Sequence, residues 1–556
     1  MLNWRRYIGL HRIFCIWRRA PFPGASAAAR PLGRAAGRWV DTDLLPPADG
    51  DAPRNSKVAR SMTAKHAIVV GAGAGGLAAS IDLARAGYRV TLLERAADPG
   101  GKMHARTVDN QLVDGGPTVL TMRSIFEQLF TDAGARLEDH LTLLHSPIIA
   151  RHAWSNGGVL DLYPDLIRSR QSIEAFAGSE NALGFERFYS QSAKIHQTLS
   201  NTFMKVPKPS PLALVSRVLR QHHPSSLVAA RPAPNLWQAL GQFFSDERLR
   251  QLFARYATYV GSSPLSTPAT LMLIAHVEME GVWLVDGGMH RLASSMADLA
   301  QRLGADLHFN THVSEVLVKG NKAAGVRLED GTTLPADVIV FNGDSNALAT
   351  GQLGQGAMRA VKPRPAQKRG LSALTWCIKG SSSGFDLDHH NVFFESNYPS
   401  EFNTLFRDRC IPKKPTVYLC AQDRGPHQAL NGSERMLMLV NAPADGDTQT
   451  WDKDQIARIR DDALAVLNRC GLTLTFGDSD CVSTTPTDWH GRFPASGGSL
   501  YGGSSHGIWS SFTRPGARSR LKGLYLSGGS VHPGPGVPMA TLSGRLAARA
   551  VLRDIG

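Results

Sequence analysis

Apolar and polar positions first fall into a convincing pattern beyond residue 60. Ala67-Ile68-Val69-Val70 is a short apolar run, as expected of a strand buried on both faces. It breaks into Gly71-Ala72-Gly73-Ala74-Gly75-Gly76, continues as a helical stretch through Ala86, and returns to strand over Arg89-Val90-Thr91-Leu92-Leu93, ending at Glu94. A second patterned block covers Gly281–Asp344. It predicts a strand, a Gly287-Gly288 turn and an amphipathic helix. Strands follow near Asp306–Phe309, Val313–Lys319, Ala323–Leu328 and Val338–Asn342, with Gly331 in a hairpin turn. A third block closes the chain with the strand-like "GLYLSGG", a Gly/Pro-rich break and a helix from about Met539. Between the blocks, Met122–Glu280 and about Ser345–Pro486 carry long helical patterns, many Leu, Val, Phe and Trp, and few polar clusters.

Length and charge narrow this picture. A chain of 556 residues holds two or three domains and buries a large core. Residues 1–40 contain eight arginines and no acid, so their +8 leaves only +6 of the formal +14 for the other residues. The body is mildly basic, and nucleic acid is not expected as a partner. Six cysteines form no CxxC pair and no metal-ligand spacing, which suits a reducing compartment and predicts no metal site. No run of about 18 apolar residues exists, so no membrane-spanning helix is predicted. Residues 1–61 read as a disordered basic extension, either a targeting segment or a stretch upstream of a true start at Met62.

The glycine turn after the first strand carries the first chemistry. Gly71 permits a tight turn, Gly73 lets a diphosphate reach the backbone, and Gly76 allows close helix–strand packing, with Gly75 beside it. Free N–H groups at the helix start attract the diphosphate. Glu94 lies 18 residues after Gly76, where an acid accepts hydrogen bonds from a ribose. Strand, helix, second strand and acid together predict a bound dinucleotide. Asp98-Pro99-Gly100-Gly101-Lys102 and Asp114-Gly115-Gly116-Pro117-Thr118 then follow closely, as if a loop wraps a ligand that stays in place.

That pattern resembles the FAD-containing amine oxidase and carotenoid desaturase superfamily, in which an R-x-x-x-x-GG[RK] segment follows the acid. Arg95, Gly101 and Lys102 match it, and the resemblance implies FAD rather than NAD. It implies an α/β fold: an FAD-binding Rossmann-like domain of the amine-oxidase type with an inserted α+β substrate domain. Its cofactor-binding part spans residues 62–130, 281–350 and 486–556, and its substrate part 131–280 and 351–485. In this superfamily the segment at Val313 contacts adenine through its backbone. "GGSVHPGPGVPMATLSGR" is similar to the closing motif, which brings Gly528, Gly529, Val537, Pro538 and Met539 to the flavin, with Gly116, Pro117 and Thr118 on the same ligand. A helix N-terminus there favours the negative charge that develops on a reduced flavin.

From Met62 onward the chain is similar to bacterial carotenoid desaturases of the phytoene desaturase family. Within it the chain resembles the hydroxyneurosporene (1-hydroxycarotenoid 3,4-) desaturases of purple bacteria, on "VIVFNGDSNALATGQLG", "GVWLVDGGMHRLA" and the closing motif. The resemblance implies removal of two hydrogens from C3–C4 of an acyclic 1-hydroxy- or 1-methoxycarotenoid, with quinone or oxygen reoxidising the flavin. It also implies a peripheral position on the cytoplasmic face of a membrane. The cationic, apolar stretch Phe203–Ala230 is either a membrane-interface segment or an ordinary core-facing helix. Candidate acid–base groups are His276 and Glu278 in "LMLIAHVEMEGVW" and His532 in the closing motif. The acid proposed for related phytoene desaturases has no counterpart in Lys205–Leu214. Rival readings are another phytoene-type desaturase step, a carotenoid isomerase or saturase, an amine oxidase, and a non-catalytic prenyl-lipid carrier. No cysteine stands in the closing motif for the covalent flavin that amine oxidases often carry.

Overall fold

The apolar run His66–Val70 is the central strand of a five-stranded parallel sheet in a computed structural model. That model describes residues 64–208, 210–221, 234–425 and 432–556. The strand order is Leu524–Leu526, Val338–Phe341, His66–Val70, Arg89–Leu93, Asp306–His308. Every neighbouring pair is parallel. Both faces are covered, and Ala67, Ile68 and Val69 are fully buried, which is why the strand reads as unbroken apolar residues. On one face lie the helix Ala74–Arg85, the helix His290–Arg302 and the closing helix Val537–Ile555. A three-stranded antiparallel sheet, Val313–Lys319, Lys322–Leu328 and Thr333–Pro335, covers the other face. Its Val313, Val316, Ala323 and Val326 pack with Ile68, Leu93, Ile339 and Phe341.

The closing helix crosses the first helix at very short range. A Cβ on Gly544 would meet Gly75 O at 2.0 Å. A buried ion-pair cluster ties the same helices. Arg545 Nε donates to Asp82 Oδ2 at 3.0 Å and Arg545 Nη2 to Asp132 Oδ2 of the helix Arg123–Asp132. Arg545 and Asp82 are almost completely buried. The closing helix starts at Val537 rather than near Met539. Pro538, with its fixed φ, suits the first turn, and Gly536 caps it.

A second, larger sheet runs Thr473–Thr475, Ser372–Ser383, Glu434–Ala442, Val417–Ala421, His390–Phe394, Ala150–Trp154, Val159–Leu162, with Cys481–Thr484 also on Ser372–Ser383. Its pairings are antiparallel except that between His390–Phe394 and Ala150–Trp154. Helices Leu166–Ala177, Ser179–Leu199 and Glu247–Ala254 build an aromatic core beside it, with Trp154, Phe185, Phe188, Phe253 and Phe394 in one cluster. The extension 1–61 lies outside the described residues, as do 209 and 222–230 of Phe203–Ala230.

Candidate active site

The turn after the first strand is built without side chains because backbone fills their space. Gly71 has φ +100°, and its N–H donates to Leu93 O at 2.8 Å, binding the turn to the second strand. A Cβ on Gly76 would lie 2.0 Å from Gly71 O, and one on Gly75 would lie 2.9 Å from Gly528 N. The first and last glycine segments, more than 450 residues apart, therefore form one surface. Asn342, just past the strand Val338–Phe341, joins them. Its Nδ2 donates to Gly71 O at 3.3 Å and its Oδ1 accepts from Ser527 Oγ at 3.1 Å. Sequence reading passed over this residue. Its only signal was its place at the end of a predicted strand, inside "VIVFNGD".

Glu94 ends the second strand beside this turn. Its Oε2 accepts from Ala72 N at 2.6 Å and its Oε1 from Ala96 N at 2.8 Å, which fixes the carboxylate on the cavity wall. Thr311 N donates to Glu94 O at 2.8 Å, which brings the cavity residues Thr311, His312 and Val313 to the same corner. Gly100 N donates to Ala72 O at 2.9 Å, so the second glycine cluster folds over the turn. Gly116 lies against that cluster, where a Cβ would meet Lys102 O at 1.8 Å.

The two basic candidates face a late segment. Arg95 Nη2 donates to Gly491 O at 2.7 Å and also to Arg492 O. Lys102 Nζ donates to Leu500 O at 2.6 Å and lies 5.2 Å from the Phe493 ring centroid. Burial pushes Lys102 down to about 8, with Asp344 opposing that shift. Both line the cavity.

One cavity of about 570 Å³ runs over all of this, within the range of ligand sites. Its wall includes Gly71, Gly73, Gly75, Glu94, Arg95, Gly101, Lys102, Gly116, Pro117, Thr118, Val313, Gly528, Gly529, Val537 and Pro538. Gly76 is buried just behind it, and Met539 packs on Met204, Leu542 and Leu546; Ala540, one turn after Val537, takes the wall position. The far wall is the larger sheet. Alternate residues Leu437, Leu439 and Asn441 face in beside Tyr418 of the next strand, Val417–Ala421, and Thr416 just before it. Tyr418 OH meets Thr118 Oγ1 at 2.6 Å and His390 Nδ1 at 2.8 Å, so the larger sheet is hydrogen-bonded to the glycine side. Arg255, Tyr259 and Tyr398 add polar groups that sequence reading did not single out.

The three acid–base candidates do not line this cavity. Glu278 is buried behind it. Its carboxylate accepts from Tyr256 OH and, at 2.6 Å, from Tyr259 OH, and lies 3.6 Å from Arg255 Nη2. His276 sets its ring near Tyr189 and His196, with Nε2 3.4 Å from Glu280. His532 holds Phe203 O through Nε2 at 3.0 Å, and burial pushes it down to about 4. The structure brings the glycine segments together and leaves these three groups in supporting positions.

The residues present fit FAD. The turn offers N–H groups in a cradle where added Cβ atoms would collide with backbone, Glu94 is presented where a ribose lies, and the closing helix opens its N-terminus on the cavity.

The flavin-containing amine oxidoreductase family matches residues 74–552. A hydroxyneurosporene desaturase of Rubrivivax gelatinosus is 45% identical over 500 residues, covering 90% of this chain and 95% of that one. A protein of the same name from Cereibacter sphaeroides is 44% identical, covering 88% and 97%. A 4,4'-diapolycopene oxygenase of Methylomonas sp is 32% identical, covering 88% and 99%. Among solved structures, wild-type putrescine oxidase bound to putrescine shares the fold with a TM-score of 0.56 at 16% identity, covering 88% and 99%.

Proposed function

This chain belongs to the flavin-containing amine oxidoreductases, in the branch of the hydroxyneurosporene desaturases, and we propose that it introduces a C3–C4 double bond into acyclic 1-hydroxy- or 1-methoxycarotenoids. One observation carries this reading: a single cavity joins the glycine cradle to a largely apolar sheet face. Val392, Leu437 and Leu439 would hold a polyene in the same cavity in which Gly528, Gly529 and Thr118 would hold the cofactor. FAD, when bound, accepts a hydride from the substrate. The chain's own work is to hold the two partners in register and keep water from the reacting carbons. Reoxidation by quinone or oxygen belongs to the same proposal.

A membrane surface is the proposed source of so apolar a substrate. The helix Pro211–Gln221 leaves Leu212, Val215 and Leu219 exposed at 74%, 42% and 49%, on one face at helical spacing, with Arg220 alongside.

The test is pigment extracted from cells making 1-hydroxyneurosporene, with and without this protein. A red shift of one conjugated double bond is expected, and its loss in Gly73→Val, whose Cβ would sit 2.8 Å from Asn342 Nδ2. An unchanged spectrum with FAD-loaded protein points to another polyene step, an isomerase or a saturase. Failure to take up FAD points to a lipid carrier.

A further inference from the structure

A buried acid lies directly behind the cavity with no cation to neutralise it. Glu401, in the short helix Tyr398–Asn403, is 5% exposed and forms no ion pair among the described residues. Its Oε2 accepts from Thr416 Oγ1 at 2.6 Å and from Thr416 N at 3.2 Å. Its Oε1 makes no hydrogen bond of normal geometry among the described residues, and the Asn441 side chain is the polar group that faces the carboxyl besides Thr416. Thr416 lines the cavity, and the antiparallel register that pairs Val417 with Val440 sets Asn441, also on the wall, opposite Thr416. Thr416 lies on the same sheet face as Tyr418, whose hydroxyl bonds Thr118 on the cofactor side.

Two features distinguish this group from an ordinary buried carboxyl. Thr416 Oγ1 already donates its proton to Glu401, so its lone pairs remain for a proton arriving from the cavity. A carboxyl without a cation is costly to ionise in such a place, so it takes up a proton readily. Burial pushes Glu401 up to about 7, and hydrogen bonds from Thr416 and from the Asn441 side chain oppose this. The titratable group coupled to it is Tyr398 on its own helix, which burial holds neutral. On the packed elements around them stand Tyr418 and His390, both kept neutral by burial, and the cation Arg255, whose nearest carboxylate is Glu278.

We propose that Thr416 and Glu401 form the proton exit of the reaction: the substrate proton passes to Thr416 Oγ1 while the Thr416 hydroxyl proton passes to Glu401 Oε2. This rests on the desaturase reading above. The hydride carries two electrons to FAD. The neighbouring C–H bond breaks, its electron pair becomes the new π bond, its proton moves along the relay, and Glu401 ends neutral. Thr416 is the group that meets the substrate, and Glu401 acts through it.

The test uses full-length FAD-loaded protein and 1-hydroxyneurosporene. In the wild type, kcat rises with pH through an apparent pKa near that of Glu401. In Glu401→Gln this limb disappears and kcat falls about 100-fold with KM little changed, the scale of general base catalysis. Thr416→Val reproduces that loss, Thr416→Ser restores activity to within a few-fold, and the double variant is no worse than either single one. Independently of turnover, infrared titration shows a carboxylic acid band that disappears as pH rises through about 7 and is absent in Glu401→Gln. Retention of the pH limb and of near wild-type kcat in Glu401→Gln overturns the proposal, as does full activity of Thr416→Val. Should Glu401→Gln not fold, the Thr416 pair decides. A wild type that desaturates nothing overturns the desaturase reading and this inference together. A normal wild type with indifferent variants overturns the inference alone.

Discussion

At the scale of residues, burial sets the behaviour of Glu401, which has no ion-pair partner among the described residues, and of Lys102, which Asp344 offsets only in part. Glu401 binds its proton more tightly in the folded protein, at about 7, than at the ordinary value of 4.5. Its contribution to stability is therefore fully present below pH 4.5 and is lost as pH rises through 7. The loss amounts to about 3 kcal/mol, from about 1.4 kcal/mol per pKa unit. Thermal unfolding between pH 4 and 8 checks this: Glu401→Gln should remove most of the decline in Tm over that window. Lys102 shifts the other way, to about 8, because burial disfavours its charge. A diphosphate seated on the glycine turn favours the protonated amine again. Binding FAD to apoprotein at pH 8.5 should therefore take up a proton, measured by calorimetry in buffers of different ionisation enthalpy, and Lys102→Met should abolish the uptake.

At the scale of elements, the cradle depends on how the closing helix lies on the first. Gly544 and Gly75 let the backbones meet, and Arg545 bonds Asp82 and Asp132 from one buried position. Burial raises Asp82, and Arg545 opposes that rise. Arg545→Met leaves two carboxylates beside a methionine. It should cost about 3 to 5 kcal/mol, the usual effect of breaking a buried pair. Chemical denaturation reads the loss, and FAD should dissociate at lower denaturant because both glycine segments hang on these helices.

The exposed face of Pro211–Gln221 belongs to the scale of the whole molecule. Replacing Leu212, Val215 and Leu219 by Glu changes residues already in solvent, so the fold and the FAD content should stay as they are. Flotation with liposomes of bacterial lipid composition should fall several-fold, and conversion of carotenoid supplied in those liposomes should fall with it. Unchanged flotation would remove this helix from the membrane contact.

The same three scales separate what was legible from what was not. The central strand, the glycine turn, Glu94 and the closing motif were legible because each obeys a local rule. A strand covered on both faces is apolar throughout, a turn crowded by backbone admits only glycine, and a ribose needs an acid at the end of the second strand. These local rules, with the resemblance they support, determined a flavin-binding α/β chain and the kind of substrate. Only the tertiary structure decided which side chains meet across long separations. Asn342 became the tie between Gly71 and Ser527, and Tyr418 the partner of Thr118. Glu401 came to rest behind Thr416, while His276, Glu278 and His532 came to lie outside the wall. The physical reason is the same in each case. A polar side chain inside an apolar segment has no periodic signature, and its role depends on the register of strands and helices that neighbour it only after folding.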